Sequence, residues 1–176
     1  PSNIITLPTQ TIDAIGTNDY RDSYYTNTGP DVWLRAAIIL PGTVPVVHHI
    51  LSYNGAENNE IQSYLTGYAP GSHLGAFPAG TGKLLTNGTV IHFQYHYVAI
   101  GTATNDISHL GLYTMPTAPS NALIQTSAYA VTFCIPPNTT DYQFVANSST
   151  FATNVRLYEF SPHLHTRGVR FKYEAI

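Results

Sequence analysis

Paired and alternating histidines are the residues in this chain whose types and spacing could bind a metal ion. Three groups stand out: His48 with His49, His92 with His96, and His163 with His165. Alternate side chains of a β-strand share a face, so the second and third groups would each present two rings to one side. Imidazole nitrogens suit copper, zinc or iron, and these histidines are therefore candidate metal ligands.

Each group also has an explanation other than metal binding, and a His-x-His pair such as His163 and His165 is also common by chance. Adjacent strand side chains point to opposite faces, so His48 and His49 would reach one ion only if a bulge or bend re-aimed one of the rings. His92 is equally consistent with a partly exposed position on a strand face. His73 lies in a predicted loop and His109 begins a predicted strand, and we expect neither to bind metal.

The composition excludes several classes of protein. Asp, Glu, Lys and Arg make up 10% of the 176 residues, against about 25% in an average soluble domain. Hydrophobic residues make up 43% and the formal charge is −3. The chain is thus too apolar for disorder and not basic enough to indicate a nucleic-acid binder. It also lacks the run of about 18 to 20 apolar residues that a membrane helix requires.

Short apolar and aromatic runs between Gly, Pro and Asn clusters predict an all-β fold. The predicted strands are Val32 to Leu40, Pro45 to Tyr53, Thr89 to Ile100, His109 to Met115, Ser127 to Ile135, Tyr142 to Ala146, Asn154 to Phe160 and Arg170 to Glu174. Such spacing favours a β-sandwich of the jelly-roll kind. Two prolines within Met115 to Ser120 predict a boundary near Thr117, which divides the chain into residues 1–117 and 118–176.

The cellular compartment is inferred from cysteine and sequon content. Cys134 is the single cysteine, so no intrachain disulfide framework can form, and its apolar surroundings predict a buried packing residue. Three glycosylation sequons begin at Asn87, Asn138 and Asn147. We expect an extracellular or periplasmic protein that is glycosylated at these asparagines, although an Asn- and Thr-rich chain also produces sequons by chance.

The order of the histidine motifs resembles the copper type II, ascorbate-dependent monooxygenases, the family of peptidylglycine α-hydroxylating and dopamine β-monooxygenases, and above all its bacterial-type branch. The segments that carry the resemblance are 32–37 (VWLRAA), 46–49 (VVHH), 67–71 (GYAPG), 93–97 (FQYHY), 109–113 (HLGLY), 135–137 (IPP) and 161–168 (SPHLHTRG). Each segment alone is weakly specific. Together, in this order, they span most of the chain from about Val32.

The resemblance implies two copper sites, each in its own β-sandwich domain. His48, His49 and His96 would bind the electron-transfer copper, and His163 and His165 would supply two ligands of the catalytic copper. Such enzymes use O2, with ascorbate as the reductant, to hydroxylate a C–H bond of a small-molecule or peptide substrate. Residues 1–117 would form the first domain, and residues 118–176 the opening strands of the second.

One departure from the family pattern limits the resemblance. The third ligand of the catalytic copper in this family is a methionine that follows the His-x-His motif, whereas Met115 precedes it. We therefore expect this sequence to be the amino-terminal part of a longer enzyme with its second copper site incomplete.

Two alternatives stay open. The chain could be a non-catalytic, glycosylated extracellular β-sandwich subunit of a surface or fibre that assembles through unpaired strand edges. It could also be an oxygenase or hydrolase with a single metal ion. Such a site usually includes a carboxylate, and the three histidine groups themselves contain no Asp or Glu.

Overall fold

The protein is described by a computed structural model over residues 1–16, 19–55, 64–71, 75–128, 130, 132–162 and 167–175. Within these ranges the secondary structure consists of strands alone, which confirms the predicted all-β class. The strands are β1 (Asn3–Thr6), β2 (Gln10–Ile12), β3 (Asp19–Thr26), β4 (Val32–Leu40), β5 (Val47–Asn54), β6 (Tyr64–Tyr68), β7 (Gly75–Ala76), β8 (Thr81–Leu85), β9 (Val90–Tyr97), β10 (Thr104–Asp106), β11 (His109–Met115) and β12 (Asn121–Ala122).

The strands form two larger sheets and one small one. The first sheet has the order β1-β11-β4-β8-β12, with β7 also paired to β4. The second has the order β3-β9-β5-β6, and β10 pairs with β2 in a separate two-stranded sheet. All neighbouring pairs are antiparallel except β12 and β8, which are parallel.

The two larger sheets share one hydrophobic core, as expected of a β-sandwich. Leu34, Ile39 and Leu110 come from the first sheet, and Ile50 and Phe93 come from the second. Along β9 the odd-numbered residues from 91 to 97 are fully buried in this core. Strand alternation therefore turns the even-numbered residues of β9, including both of its histidines, to the opposite face of the second sheet.

The predicted strands agree closely with the structure in the amino-terminal two thirds. Strands β4 and β11 have the predicted bounds, and β5 and β9 differ from prediction by one to three residues at their ends. These four strands combine β-branched or aromatic residues with tight turns on either side, which makes their signal strong. The shorter strands, and the polar edge strand β3, were not predicted.

The strands predicted for the carboxyl-terminal segment differ from the structure. The four strands predicted between Ser127 and Glu174 are not formed by the described residues of that segment, the last strand being β12. Cys134, predicted to be buried, is exposed. Strand-forming residues need a partner strand to complete their hydrogen bonds, and local sequence alone does not supply one. The boundary near Thr117 and a second sandwich domain remain predictions.

Candidate metal centre

A β-bulge brings His48 and His49 to the same side of strand β5. Val47 lies opposite Tyr97 and His49 lies opposite His96, so His48 is the extra residue in the β5–β9 ladder. Val47 and Tyr97 face the core, whereas His49 and His96 lie on the other face of the sheet. The bulge is the irregularity that two adjacent histidines need if both are to reach one ion.

The three histidines of β5 and β9 form a compact cluster. One nitrogen atom from each of His48, His49 and His96 lies within 4.8 Å of the others. The ring centroids of His48 and His96 are 4.6 Å apart, those of His49 and His96 are 4.9 Å apart, and those of His48 and His49 are 5.4 Å apart. Nitrogens at this separation are close enough for the three histidines to be candidate ligands of one ion.

The protonation state of His96 favours metal binding. Burial lowers the pKa of the His96 imidazole, and the neighbouring His48 lowers it further, while Asp19 acts in the opposite direction. A metal ion binds the neutral form of imidazole, so a lowered pKa reduces competition from protons. Protons therefore compete less with a metal ion for the His96 nitrogen.

A buried carboxylate fixes the backbone on both sides of the cluster. Asp106 accepts hydrogen bonds from the Tyr97 hydroxyl at 2.9 Å and from the Thr43 amide at 2.6 Å. The Ser108 hydroxyl donates a third bond to it at 2.7 Å. Tyr97 follows His96 in β9, and Thr43 lies in the loop that leads into β5. Asp106 thus ties together the two segments that carry the candidate metal ligands.

The same loop is held by a close backbone contact at Gly42. A Cβ atom at this position would lie 2.3 Å from the Ile107 carbonyl oxygen, which no side chain tolerates. The Gly42 amide also donates a hydrogen bond to Ser108 Oγ at 3.3 Å. Glycine is therefore required where the loop before β5 crosses the β10–β11 connection.

His92 shares a face with His96 but lies outside the cluster. Its Nε2 is 2.7 Å from Asp22 Oδ1, and its ring stacks on Tyr24, with ring centroids 4.9 Å apart. Tyr53 covers it from β5, with a centroid separation of 5.9 Å. These contacts leave His92 1% exposed. They hold His92 by packing and hydrogen bonding, so it is buried and is not the partly exposed face residue that the sequence suggested.

The other sequence candidates are placed as follows. His163, His165 and His73 lie outside the described residues. His109 begins β11, with Nδ1 3.2 Å from Thr6 Oγ1. The sequon asparagines Asn87, Asn138 and Asn147 are all exposed, as a glycan acceptor must be, but Asn87 already donates a hydrogen bond to the Gly29 carbonyl at 2.8 Å.

Two residues near the cluster had no signal in the sequence. Tyr20 stacks on His96 from β3, and Asp106 anchors the supporting loop. Strand β3 is rich in tyrosine, but its charged residues interrupt the alternation of apolar and polar side chains that indicates a strand. The role of Asp106 depends on contacts that are distant in the chain, which spacing does not indicate.

The sequence matches no family model, and no curated protein matches it significantly. No helix in the described part of the chain is long and apolar enough to cross a membrane.

Proposed function

We propose that this chain contains the electron-transfer copper site of an ascorbate-dependent monooxygenase, with His48, His49 and His96 as the copper ligands. One observation carries the proposal: the bulge in β5 places nitrogens of these three histidines within 4.8 Å of one another. The proposed activity is inferred from the resemblance of the histidine motifs to the copper type II monooxygenases.

The donor set favours copper over other ions. Among the described side chains, the cluster holds three imidazoles and no carboxylate or thiolate. Structural zinc sites usually recruit cysteine and are four-coordinate, whereas Mg²⁺ and Ca²⁺ require oxygen ligands. For nitrogen ligands the divalent ions follow an order in which Cu²⁺ binds most tightly. A set of three imidazoles thus fits copper.

The position of the cluster suits electron transfer. His96 is buried and held in place, while His48 is exposed and His49 is partly exposed. The buried ligand fixes the geometry, and the exposed ligands give a soluble reductant access to the site. Copper held by these three histidines would supply one-electron chemistry, with ascorbate as the reductant. The proposed reaction centre includes His163 and His165, and its substrate is a small molecule or a peptide.

A second candidate function rests on the carboxyl-terminal segment. Large apolar residues there are exposed, among them Phe133 at 50%, Leu157 at 63% and Val169 at 93%. No described residue beyond Ala122 belongs to a strand. These features favour an extracellular β-sandwich subunit that completes its sheets with another chain. In that case the histidine cluster would not take part in catalysis.

Copper loading followed by reduction tests the primary proposal. Protein loaded with one equivalent of Cu(II) is expected to show an electron paramagnetic resonance signal of a nitrogen-ligated ion. Ascorbate should abolish the signal without oxygen, and air should restore it. The variant His48→Ala/His49→Ala is expected to lose this signal. A wild-type protein that retains no copper after dialysis would contradict the proposal and favour the subunit function.

A further inference from the structure

We infer that Tyr20 is a positioning residue of the three-histidine site, an inference that rests on the proposed copper-binding function. Tyr20 lies opposite His96 in the β3–β9 ladder. Their ring centroids are 4.2 Å apart and the ring planes differ by only 12°. Tyr20 also meets His49 edge to face, with centroids 6.3 Å apart. One tyrosine on the edge strand therefore contacts two of the three ligands.

The stacked geometry restrains the ligand without blocking it. A metal ion binds imidazole in the plane of the ring, at a nitrogen lone pair, so a ring packed on the imidazole face leaves that nitrogen accessible. The same packing prevents the His96 ring from turning about its Cβ–Cγ bond, a torsion that is otherwise broad. His48 and His49 meet the His96 ring at 70° and 73°. Tyr20 thus fixes the orientation of the His96 ring relative to the rings of His48 and His49.

Metal binding should also strengthen this contact. An imidazole that donates its lone pair to Cu²⁺ becomes electron-poor, and the face of a phenol ring is electron-rich. His96 is 6% exposed and Tyr20 is 57% exposed, so Tyr20 forms the outer cover of a buried ligand. Loss of the ring would therefore weaken copper binding and let the His96 ring tilt.

The test compares substitutions of Tyr20 with the matched substitution at Tyr24. Tyr24 lies on the same face of β3 and stacks on His92, which is outside the cluster, with ring centroids 4.9 Å apart at 15°. Tyr20→Leu removes the ring, Tyr20→Phe keeps it, and Tyr24→Leu removes the equivalent ring elsewhere. Copper dissociation constants from chelator competition and the paramagnetic resonance spectrum of the Cu(II) form are measured for each.

We expect Tyr20→Leu to weaken Cu(II) binding by about three- to tenfold, the range expected for loss of one aromatic contact to a charged centre. Its resonance spectrum should shift, whereas Tyr20→Phe and Tyr24→Leu should match the wild type in both measurements. Wild-type affinity and spectrum in Tyr20→Leu would overturn the positioning role and leave the copper site intact. Equal losses in Tyr24→Leu would overturn it as well. A wild-type protein that binds no copper would overturn the proposed function itself.

Discussion

His49 lies directly opposite His96 in the β5–β9 ladder, with the two ring planes inclined at 73°. This pairing exists because the preceding residue, His48, is bulged out of the ladder. Without the bulge, one of the two adjacent histidines would face the core. A single bulge thus turns two adjacent histidines toward His96, so that the three form one set of candidate ligands.

Substitution of the exposed ligand should separate metal binding from folding. His48→Ala removes a side chain that is exposed, so we expect the free energy of unfolding to change by no more than about 0.5 kcal/mol. Copper affinity should fall at least tenfold because only two imidazoles remain. Urea unfolding and chelator competition measure the two quantities. His109→Ala is the matched control, since it removes an imidazole from the other sheet, and a similar loss of copper there would refute the assignment.

His92→Ala should lower the stability of the fold without changing copper binding. His92 is buried, is bonded to Asp22 and is stacked between Tyr24 and Tyr53. Loss of the ring should lower the free energy of unfolding by about 1–3 kcal/mol. Copper stoichiometry should stay at the wild-type value, because the nitrogens of the cluster are untouched. If the variant folds normally but binds no copper, His92 is itself a copper ligand and the prediction is wrong.

The sequence indicated the histidines of the cluster better than it indicated the residues that support them. Alternation in segment 92–96 indicated that His92 and His96 share a face, and the His48–His49 pair indicated the need for a bulge. Alternation alone did not distinguish His92 from His96, which only the family resemblance separated, because the difference arises from Asp22 and Tyr20 on β3, a strand that pairs with β9 across about 70 residues of chain. Contacts at such separation leave no local pattern.

The error in the carboxyl-terminal segment has a different physical cause. Residues such as Phe144 and Phe171 favour strands locally, but both are exposed and belong to no strand. β-propensity describes how well a residue fits a partly buried sheet rather than an intrinsic backbone preference. A strand prediction for this segment therefore depended on a partner that the sequence did not identify.

Removal of the Asp106 charge should weaken both the fold and the site. Asp106→Asn replaces an acceptor of three hydrogen bonds, from Tyr97, Thr43 and Ser108, with a group that has one acceptor oxygen. We expect the free energy of unfolding to fall by about 2–3 kcal/mol, as for loss of a buried bond to a charged group. Copper affinity should also fall, since the loop before β5 is released. Unchanged copper affinity in the folded variant would show that the loop does not depend on Asp106.

Lys83 should make stability depend on pH. Burial lowers the pKa of its amine from 10.5 to about 8, and the amine donates a hydrogen bond to the Tyr64 carbonyl. Between pH 8 and 10 the unfolded chain therefore binds more protons than the folded chain, and stability should rise with pH. Tyr64, Tyr95 and Tyr97, whose pKa values burial raises, oppose this rise as the pH approaches 10, because a tyrosine in the unfolded chain is already half ionised at pH 10.

The variant Lys83→Met isolates this effect. It keeps a similar apolar stem and removes the amine, so the increase in stability between pH 8 and 9.5 should disappear. Chemical unfolding at the two pH values, with wild type in parallel, measures the change. An equal increase in both proteins would assign the effect to another group.

The most direct test of the central claim is X-ray absorption spectroscopy of the copper-loaded chain, compared with that of His96→Ala. We expect one copper at the cluster, bound by three imidazole nitrogens at about 2.0 Å, a distance typical of metal–imidazole bonds. In the variant, the imidazole contribution should fall to two and the affinity should drop, while the fold is kept. An identical imidazole count in both proteins, or no copper retained by the wild type, would contradict the three-histidine site.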